Sequence, residues 1–374
     1  MSRSLRHLVG LTAMLGLLLL AGCPGPTPAP NDNDPLSKTG TTPIILGGKD
    51  KDDPLDSTPA TTGAGTYLFC FWNVENLFDD QDDSRKTKGD KEYDGWFAED
   101  KVALKQKLDN LAEVILGMNE GKGPDILALA EVESARAAEL VQQTLNARLT
   151  NPALRYTTVL FLNSAGGRHI STAILTRLPV NKDKTRLLGH RLRILQGQIE
   201  VADRPLTVIA SHWSSRISDK TGETRAKYAD LIYGRYKGMF IANPKVDFLV
   251  CGDFNDNPDE PSVTQHLRAT EDAAAVKSGG DEPKLFNLMG SLWKNGSASI
   301  YNGAKPYLFD QICVSPGMLD NEGWSVVPDS AAVVPQMALA NGRPNRFGGA
   351  KDKRPMSARG ASDHFPVVVR LRVR

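Results

Sequence analysis

The sequence predicts an α/β domain built on mixed β-sheet from Thr66 to Arg374, and three observations predict it. Amphipathic helical segments and short apolar runs alternate along this stretch, as they do where strands interleave with helices. Some successive runs, such as Ile194 to Val201 and Leu206 to Ser211, lie only a few residues apart, which reads as hairpin pairing within the sheet. Residues 24–65 differ sharply: they are rich in Pro, Thr, Gly and Asp, show no apolar period, and carry too little apolar surface to fold.

Tyr67 to Val74 reads as the first strand and Glu75 to Trp96 as a polar, acidic, irregular loop. Lys101 to Met118 places Val102, Leu104, Leu108, Leu111, Val114, Ile115 and Met118 at the spacing of an amphipathic helix. Asp125 to Ala130 is a buried strand and Ala135 to Leu149 a second helix. Strands follow over Tyr156 to Leu162, Ile170 to Thr176, Arg186 to Leu188, Ile194 to Val201 and Leu206 to Ser211. A third helix, Glu223 to Ile241, leads into a strand from Lys245 to Cys251; Ala298 to Tyr301, Phe309 to Val314 and Val367 to Val373 complete the set.

The N-terminus addresses the compartment. Arg3 and Arg6 precede the apolar run Leu8 to Leu20, which is too short to span a bilayer and reads as a cleaved signal over residues 1–22. Leu20-Ala21-Gly22-Cys23 resembles the bacterial lipobox, so Cys23 is the expected lipidation site and the bacterial cell envelope the expected location, with the membrane met through the lipid anchor alone. Residues 23–65 are then a tether, reaching about 5–6 Å times the square root of its length. Its small apolar patch Ile44-Ile45-Leu46 reads as part of that solvated linker.

A formal net charge of +1 over 374 residues argues against a protein that coats nucleic acid broadly and leaves a local basic groove open. Cys70, Cys251 and Cys313 sit inside apolar strand-like runs without metal-ligand spacing, so they are expected to pack as small buried hydrophobes. Nothing points to an oligomer, and a monomer is expected.

Polar clusters recur at the ends of the strands. Trp72-Asn73-Val74-Glu75-Asn76 follows the first strand and Ala130-Glu131-Val132-Glu133 the second. Ser211-His212-Trp213 and Gly252-Asp253-Phe254-Asn255-Asp256 follow two later ones; Phe309-Asp310-Gln311 opens a strand, and Ser362-Asp363-His364 precedes the last. Ligand sites of α/β proteins gather at strand carboxyl ends. Carboxylates and amides are oxygen ligands that suit a hard cation such as Mg²⁺, and histidines move protons near neutral pH.

Together, in this order, WNVEN, AEVE, SHW, GDFND, FDQI and SDH resemble the endonuclease/exonuclease/phosphatase family that includes pancreatic deoxyribonuclease, over roughly Tyr67 to Arg374. The resemblance implies a four-layer α/β/β/α sandwich with two packed mixed β-sheets and a divalent-metal phosphoesterase site at one edge. It implies that Asn73, Glu75 and Glu131 surround the metal, with Glu131 the main ligand of Mg²⁺ (or Mn²⁺ or Ca²⁺), and that Asp363 approaches it. His212 and His364 would flank the scissile phosphate, Asp310 orient His364, and Asp253 and Asn255 position or activate the attacking water. On that reading Asp253 or His364 serves the water and His212 the leaving group.

Arg216, Arg225 and, in the Gly-rich turn after Gly166, Arg168 are candidate phosphate contacts, since a guanidinium matches a pair of phosphate oxygens. The basic segment Asn341 to Arg359 runs into Ser362-Asp363-His364 and could hold a nucleic-acid backbone. The expected function is a surface-anchored nuclease or general phosphodiesterase. Lipid phosphodiesterase or inositol-phosphate phosphatase is the alternative, though no long aromatic hairpin and no W-C-D-R-type element is seen. A non-catalytic surface binding module comes last, because both His and all the acidic positions are present.

Overall fold

The computed structural model describes Ile44–Leu46, residues 64–166 and residues 168–374. The expected signal, Cys23 and most of the expected tether lie outside the described residues. In chain order the strands are β1 (Ile44–Leu46), β2 (Gly65–Leu77), β3 (Ile126–Val132), β4 (Thr158–Phe161), β5 (Ser171–Thr176), β6 (Arg186–Leu187), β7 (Ile194–Val201), β8 (Arg204–His212) and β9 (Phe248–Asp253). They continue as β10 (Ala269–Thr270), β11 (Leu285–Asn287), β12 (Ile300–Asn302), β13 (Lys305–Tyr307), β14 (Asp310–Val314), β15 (Trp324–Val326), β16 (Ala332–Val333) and β17 (Val367–Val373). The helices are α1 (Lys88–Glu99), α2 (Lys101–Leu116), α3 (Ala135–Arg148), α4 (Glu223–Ala242), α5 (Ala273–Lys277) and α6 (Gly290–Lys294).

Two mixed sheets carry the fold. One has the order β1-β4-β5-β3-β2-β17-β15, with β16 also on β17; the other runs β10-β11-β14-β9-β8-β7-β6. Each contains a parallel pair, β2·β3 in the first and β8·β9 in the second, flanked by antiparallel neighbours. Alternation along the strands then makes three apolar layers. Phe69 and Phe71 of β2 point between the sheets with Ala128, Ile174, Val208, Leu249 and Ile312. Their neighbours Leu68, Cys70 and Trp72 pack under α2 and α3 with Leu104, Leu111, Ile115, Val141 and Leu145. On the far side Ile209, Val250 and Cys313 meet Tyr228, Ile232 and Tyr236 of α4. Helix, sheet, sheet and helix therefore stack in the four expected layers.

The helices begin where local chemistry lets them. The Asp100 side chain accepts the N–H groups of Val102 and Ala103 at the start of α2, and Ser134 accepts that of Ala137 at the start of α3. Val102, counted on the apolar face of α2, is 72% exposed, whereas Lys107 on that face is fully buried.

Three departures bear on the site. The acidic stretch after β2 is not irregular throughout, because it contains α1, and its acids are partnered inside the fold. Asp94 accepts the N–H groups of Asp83 and Arg85, and buried Asp90 binds Arg168. Within the expected tether, Ile44–Leu46 forms an edge strand antiparallel to β4. Tyr301 belongs to a short hairpin, β12–β13, closed by Gly303 at positive φ and joined to the last strand's approach by a bridge between Ile300 and His364. The three cysteines are buried and unpaired, as expected.

Candidate active site

The carboxyl ends of both parallel pairs open on the same edge. In the second sheet the register sets His212 beside Asp253 across β8·β9, and Asp253 beside Asp310 across β9·β14. Gly252 makes this possible, since a Cβ there would meet the Ser211 carbonyl oxygen at 2.2 Å. In the first sheet the ladders are broken where side chains must turn toward the site. Register shifts fall between Asn73 and Leu77 and across Glu131, and Glu75, Asn76 and Glu131 adopt φ of 50°, 52° and 63°. Bulges and left-handed non-glycine residues of this kind re-aim side chains at a cost the surrounding packing must cover.

Two histidines flank one carboxylate. Asp253 Oδ2 lies 3.7 Å from His212 Nε2 and 3.8 Å from His364 Nε2, while its Oδ1 accepts the Asn255 N–H at 2.9 Å. Behind His364, Asp310 Oδ2 sits 2.7 Å from Nδ1, and Asp310 Oδ1 is buried with no hydrogen-bond partner among the described residues. Burial alone would lower the pKa of His364, but the charge and hydrogen bond of Asp310, with Asp253 and Asp363, outweigh it and raise it well above the ordinary value. His212 is the opposite at Nδ1: Arg193 Nη1 lies 3.0 Å from it, and burial together with the Arg193, His364 and Arg168 charges lowers its pKa well below the ordinary value. Burial and then the Asp310 charge, opposed by His364, raise Asp253 to about 6.

Beside this triad lies a group of acids. Glu131 Oε2 accepts the Asn76 N–H at 2.8 Å, and Glu131 Oε1 lies 4.0 Å from His212 Nε2. The half-buried Asp363 carboxylate accepts no hydrogen bond among the described residues. Burial, then the charges of Glu75 and Glu131, push it up to about 7. Like charges crowded together are what a cation relieves, and carboxylate oxygens are the donors that Mg²⁺, Mn²⁺ or Ca²⁺ takes. The residues present therefore fit a divalent ion, with Glu131 and Asp363 as the carboxylates that would hold it. Asp253, Asp310 and His364 also offer ligand atoms within 4.8 Å of one another. There, however, the 2.7 Å bond from Asp310 occupies His364 Nδ1, so this trio reads as a proton relay.

The other two expected metal residues are placed differently. Asn73 sends its NH₂ to Asp253 Oδ2 at 3.0 Å and to Glu131 Oε1 at 3.4 Å, and its Oδ1 accepts the Glu75 N–H, so it braces the acids against one another. Glu75 spends both oxygens on the basic segment, accepting from Arg346 Nε at 3.0 Å, Phe347 N–H at 2.7 Å and Gly348 N–H at 3.2 Å. It anchors that segment rather than presenting free oxygens to a metal.

Of the candidate phosphate contacts, Arg225 is corrected outright. It is buried, and its guanidinium is held by Asp256 Oδ2 at 2.8 Å and by the Asp219 carbonyl at 2.7 Å, so it braces the Gly252–Asp256 loop from behind. Arg216 bonds the Asn255 carbonyl, Asp256 and Glu260, and stacks on Phe309 and Tyr307 with 4.8 and 5.4 Å to the ring centroids. It shapes the same loop and its side chain stays one-third exposed. Arg168 bonds Asp90 and Asn76 Oδ1 and stays 40% exposed. In the basic segment Arg346, Lys351, Arg354 and Arg359 are engaged by Glu75, Glu92, Asp352 and backbone carbonyls.

Sequence reasoning missed three residues. Lys107 donates to the Glu75 and Ala361 carbonyls at 3.0 and 2.7 Å, tying together the two segments that carry the acids. Its signal was available: it falls three residues after Leu104 and four before Leu111, on the face that must be buried. Arg346 lay unresolved among other cations. Arg193 was readable only through the pairing of β7 with β8.

Residues 68–373 match the model of the Endonuclease/Exonuclease/phosphatase family. The chain belongs to this family. No curated protein matches it. Among solved structures, this family member is similar to truncated Caenorhabditis elegans TDP2 at 14% identity and a TM-score of 0.49, covering 83% of this chain and 98% of that one. It is similar also to D. rerio TDP2 complexed with single strand DNA product, at 15% identity and a TM-score of 0.47, over 82% of this chain and 99% of that one. A family protein from Bacteroides thetaiotaomicron is similar at 13% identity and a TM-score of 0.45, over 83% and 99% of the two chains.

Proposed function

We propose that this chain is a divalent-metal-dependent phosphodiesterase whose substrate is nucleic acid. The observation that carries the reading is the carboxylate of Asp253 standing 3.7 and 3.8 Å from two histidines whose Nδ1 partners bear opposite charges. Asp253, held by Asn255 and Asn73, takes the proton of the attacking water. His364, kept protonated by Asp310, gives a proton to the leaving oxygen; this reverses the role expected for His212. Glu131 and Asp363 would hold the cation, which offsets the charge of the phosphoryl oxygens when bound.

Nucleic acid is favoured by the rim. Arg343 stacks over Tyr301 and Lys305 over Tyr307, at 5.7 and 5.1 Å to the ring centroids. Aromatic faces beside cations suit bases and a phosphate backbone. We place the enzyme at the bacterial cell envelope, tethered through Cys23.

The test incubates the purified chain with supercoiled plasmid, single-stranded RNA and a chromogenic phosphodiester, in Mg²⁺, Mn²⁺ or chelator, beside Asp253→Asn. Metal-dependent nicking that the variant loses is expected. Turnover of the chromogenic diester alone would overturn the choice of substrate, and turnover of nothing would overturn the reading. A Cys23→Ser chain should leave the membrane fraction for the soluble one; retention in the membrane would defeat the tether.

A further inference from the structure

We infer that Arg193 is a positioning residue: it locks His212 into the tautomer with hydrogen on Nε2, so that His212 serves as a neutral hydrogen-bond donor and not as a carrier of protons. The inference deepens the phosphodiesterase reading, since it gives His212 its part in that reaction.

It starts from a turn. Val201-Ala202-Asp203-Arg204 closes β7 on β8 with φ of 52° and 59° at its two central residues, the mirror-image turn that matches strand twist. The register continues to the far end as Ile194 opposite Ser211, which brings Arg193 opposite His212, where the His212 N–H donates to the Arg193 carbonyl at 3.0 Å. The Arg193 N–H donates in turn to the Tyr228 hydroxyl at 3.2 Å, so its backbone is held on both sides. Its guanidinium then reaches along the strand end, with Nη1 3.0 Å from His212 Nδ1 and Nη2 3.0 Å from the Trp213 carbonyl.

A guanidinium has five N–H donors, no acceptor, and keeps its charge at every accessible pH. Whatever contacts it at hydrogen-bond distance must bring a lone pair. Nδ1 is therefore bare and the ring proton is on Nε2. A proton on Nδ1 would set N–H against N–H at 3.0 Å, and a ring protonated on both nitrogens would add a second positive charge beside the guanidinium. Nε2–H points into the site, toward Asp253 Oδ2 and Glu131 Oε1 at 3.7 and 4.0 Å. Asp253 and Glu131 are the facing acids, and Arg193, His364 and Arg168 are the cations whose charge the ring feels. A fixed, neutral N–H aimed into the site would stabilise charge developing on a phosphoryl oxygen without a proton changing hands.

The test has two readouts. In the ¹⁵N-labelled full chain, with chelator present, long-range ¹H–¹⁵N spectra at neutral pH show which ring nitrogen of His212 bears hydrogen, and His212→Gln identifies the signals. A single Nε2–H form is expected, giving way to a mixture in Arg193→Met. Hydrogen on Nδ1, or a pattern that Arg193→Met leaves unchanged, overturns the inference. In turnover, His212→Gln, whose amide still donates, should keep about 10-fold more kcat than His212→Ala, out of the roughly 10²–10³-fold that one such donor supplies. Equal loss in the two variants would mean that His212 moves protons. If Arg193→Met does not fold, the unmodified chain and the Gln/Ala pair still decide. If no form hydrolyses any phosphodiester, the reaction is wrong and the spectra still report the tautomer.

Discussion

His212 and His364 are both buried, both within 4 Å of the same oxygen of Asp253, and come from the end of β8 and the approach to β17, yet they are opposites. One turns Nδ1 to a cation, Arg193, and the other to an anion, Asp310. The first is thereby emptied of its second proton and the second kept full. The side chain named in a motif does not define a role; the group on the far side of the ring does. A pair so divided supplies a fixed donor and a mobile proton around one carboxylate.

The sharpest way to break this comparison is to remove the mobile proton. His364→Ala should lower kcat/KM by about 10³-fold, within the range for a positioned acid or base, measured on plasmid or a small diester. A loss no greater than that of a surface histidine change would show that the proton comes from elsewhere. Asp310→Asn tests the same residue through its partner, with a smaller effect, about 10²-fold. Asp310 raises the His364 pKa, so without it the imidazolium loses its proton at lower pH and the alkaline limb of the pH–rate profile must move toward acid. An unmoved limb would separate His364 from that limb altogether.

The fixed donor should cost less. His212→Ala is expected to reduce kcat by about 10²-fold and to leave both limbs of the profile in place, because a neutral donor contributes no ionisation. The acid limb belongs to Asp253, ionised only above about 6, so activity should rise between pH 5 and 7 in the parent and in His212→Ala alike. Were the acid limb to disappear with His212, the assignments of the two groups would have to be exchanged.

How much of this was legible follows from the range of the interactions. The long elements were, because Leu104, Leu108, Leu111 and Ile115 of α2, or the run Val367 to Val373 of β17, announce burial within a few residues. The short edge strands β10, β15 and β16 were not, since two or three residues hold no period and owe their form to the neighbour they pair with. Helix α1 was hidden by its acids, whose partners, Arg168 among them, lie far along the chain. In the site, residues at strand ends were readable because strand ends are marked by sequence. Their second partners were not: Glu75 looked like a ligand until Arg346, some 270 positions on, was seen to hold it. Arg225 looked like a phosphate contact until Asp219 and Asp256 enclosed it.

A buried carboxylate outside the site provides the control for the whole comparison, with the smallest expected effect. Asp247, just before β9, accepts the Trp324 N–H at 2.8 Å, and burial raises its pKa to about 7. The unfolded value is about 3.9, so the folded state binds the proton more tightly, and stability must fall as pH rises from about 4 to about 7 and level off above that. Asp247→Asn keeps an acceptor for Trp324 and removes the ionisation. Its advantage over the parent should grow by about 2–3 kcal/mol between pH 5 and pH 8, with no effect on the limbs of the activity profile. Denaturant melts at the two pH values measure the first part and turnover the second. If the variant flattened the activity profile instead, the ionisations assigned to Asp253 and His364 would be reporting the stability of the fold, and the contrast between the two histidines would lose its kinetic support.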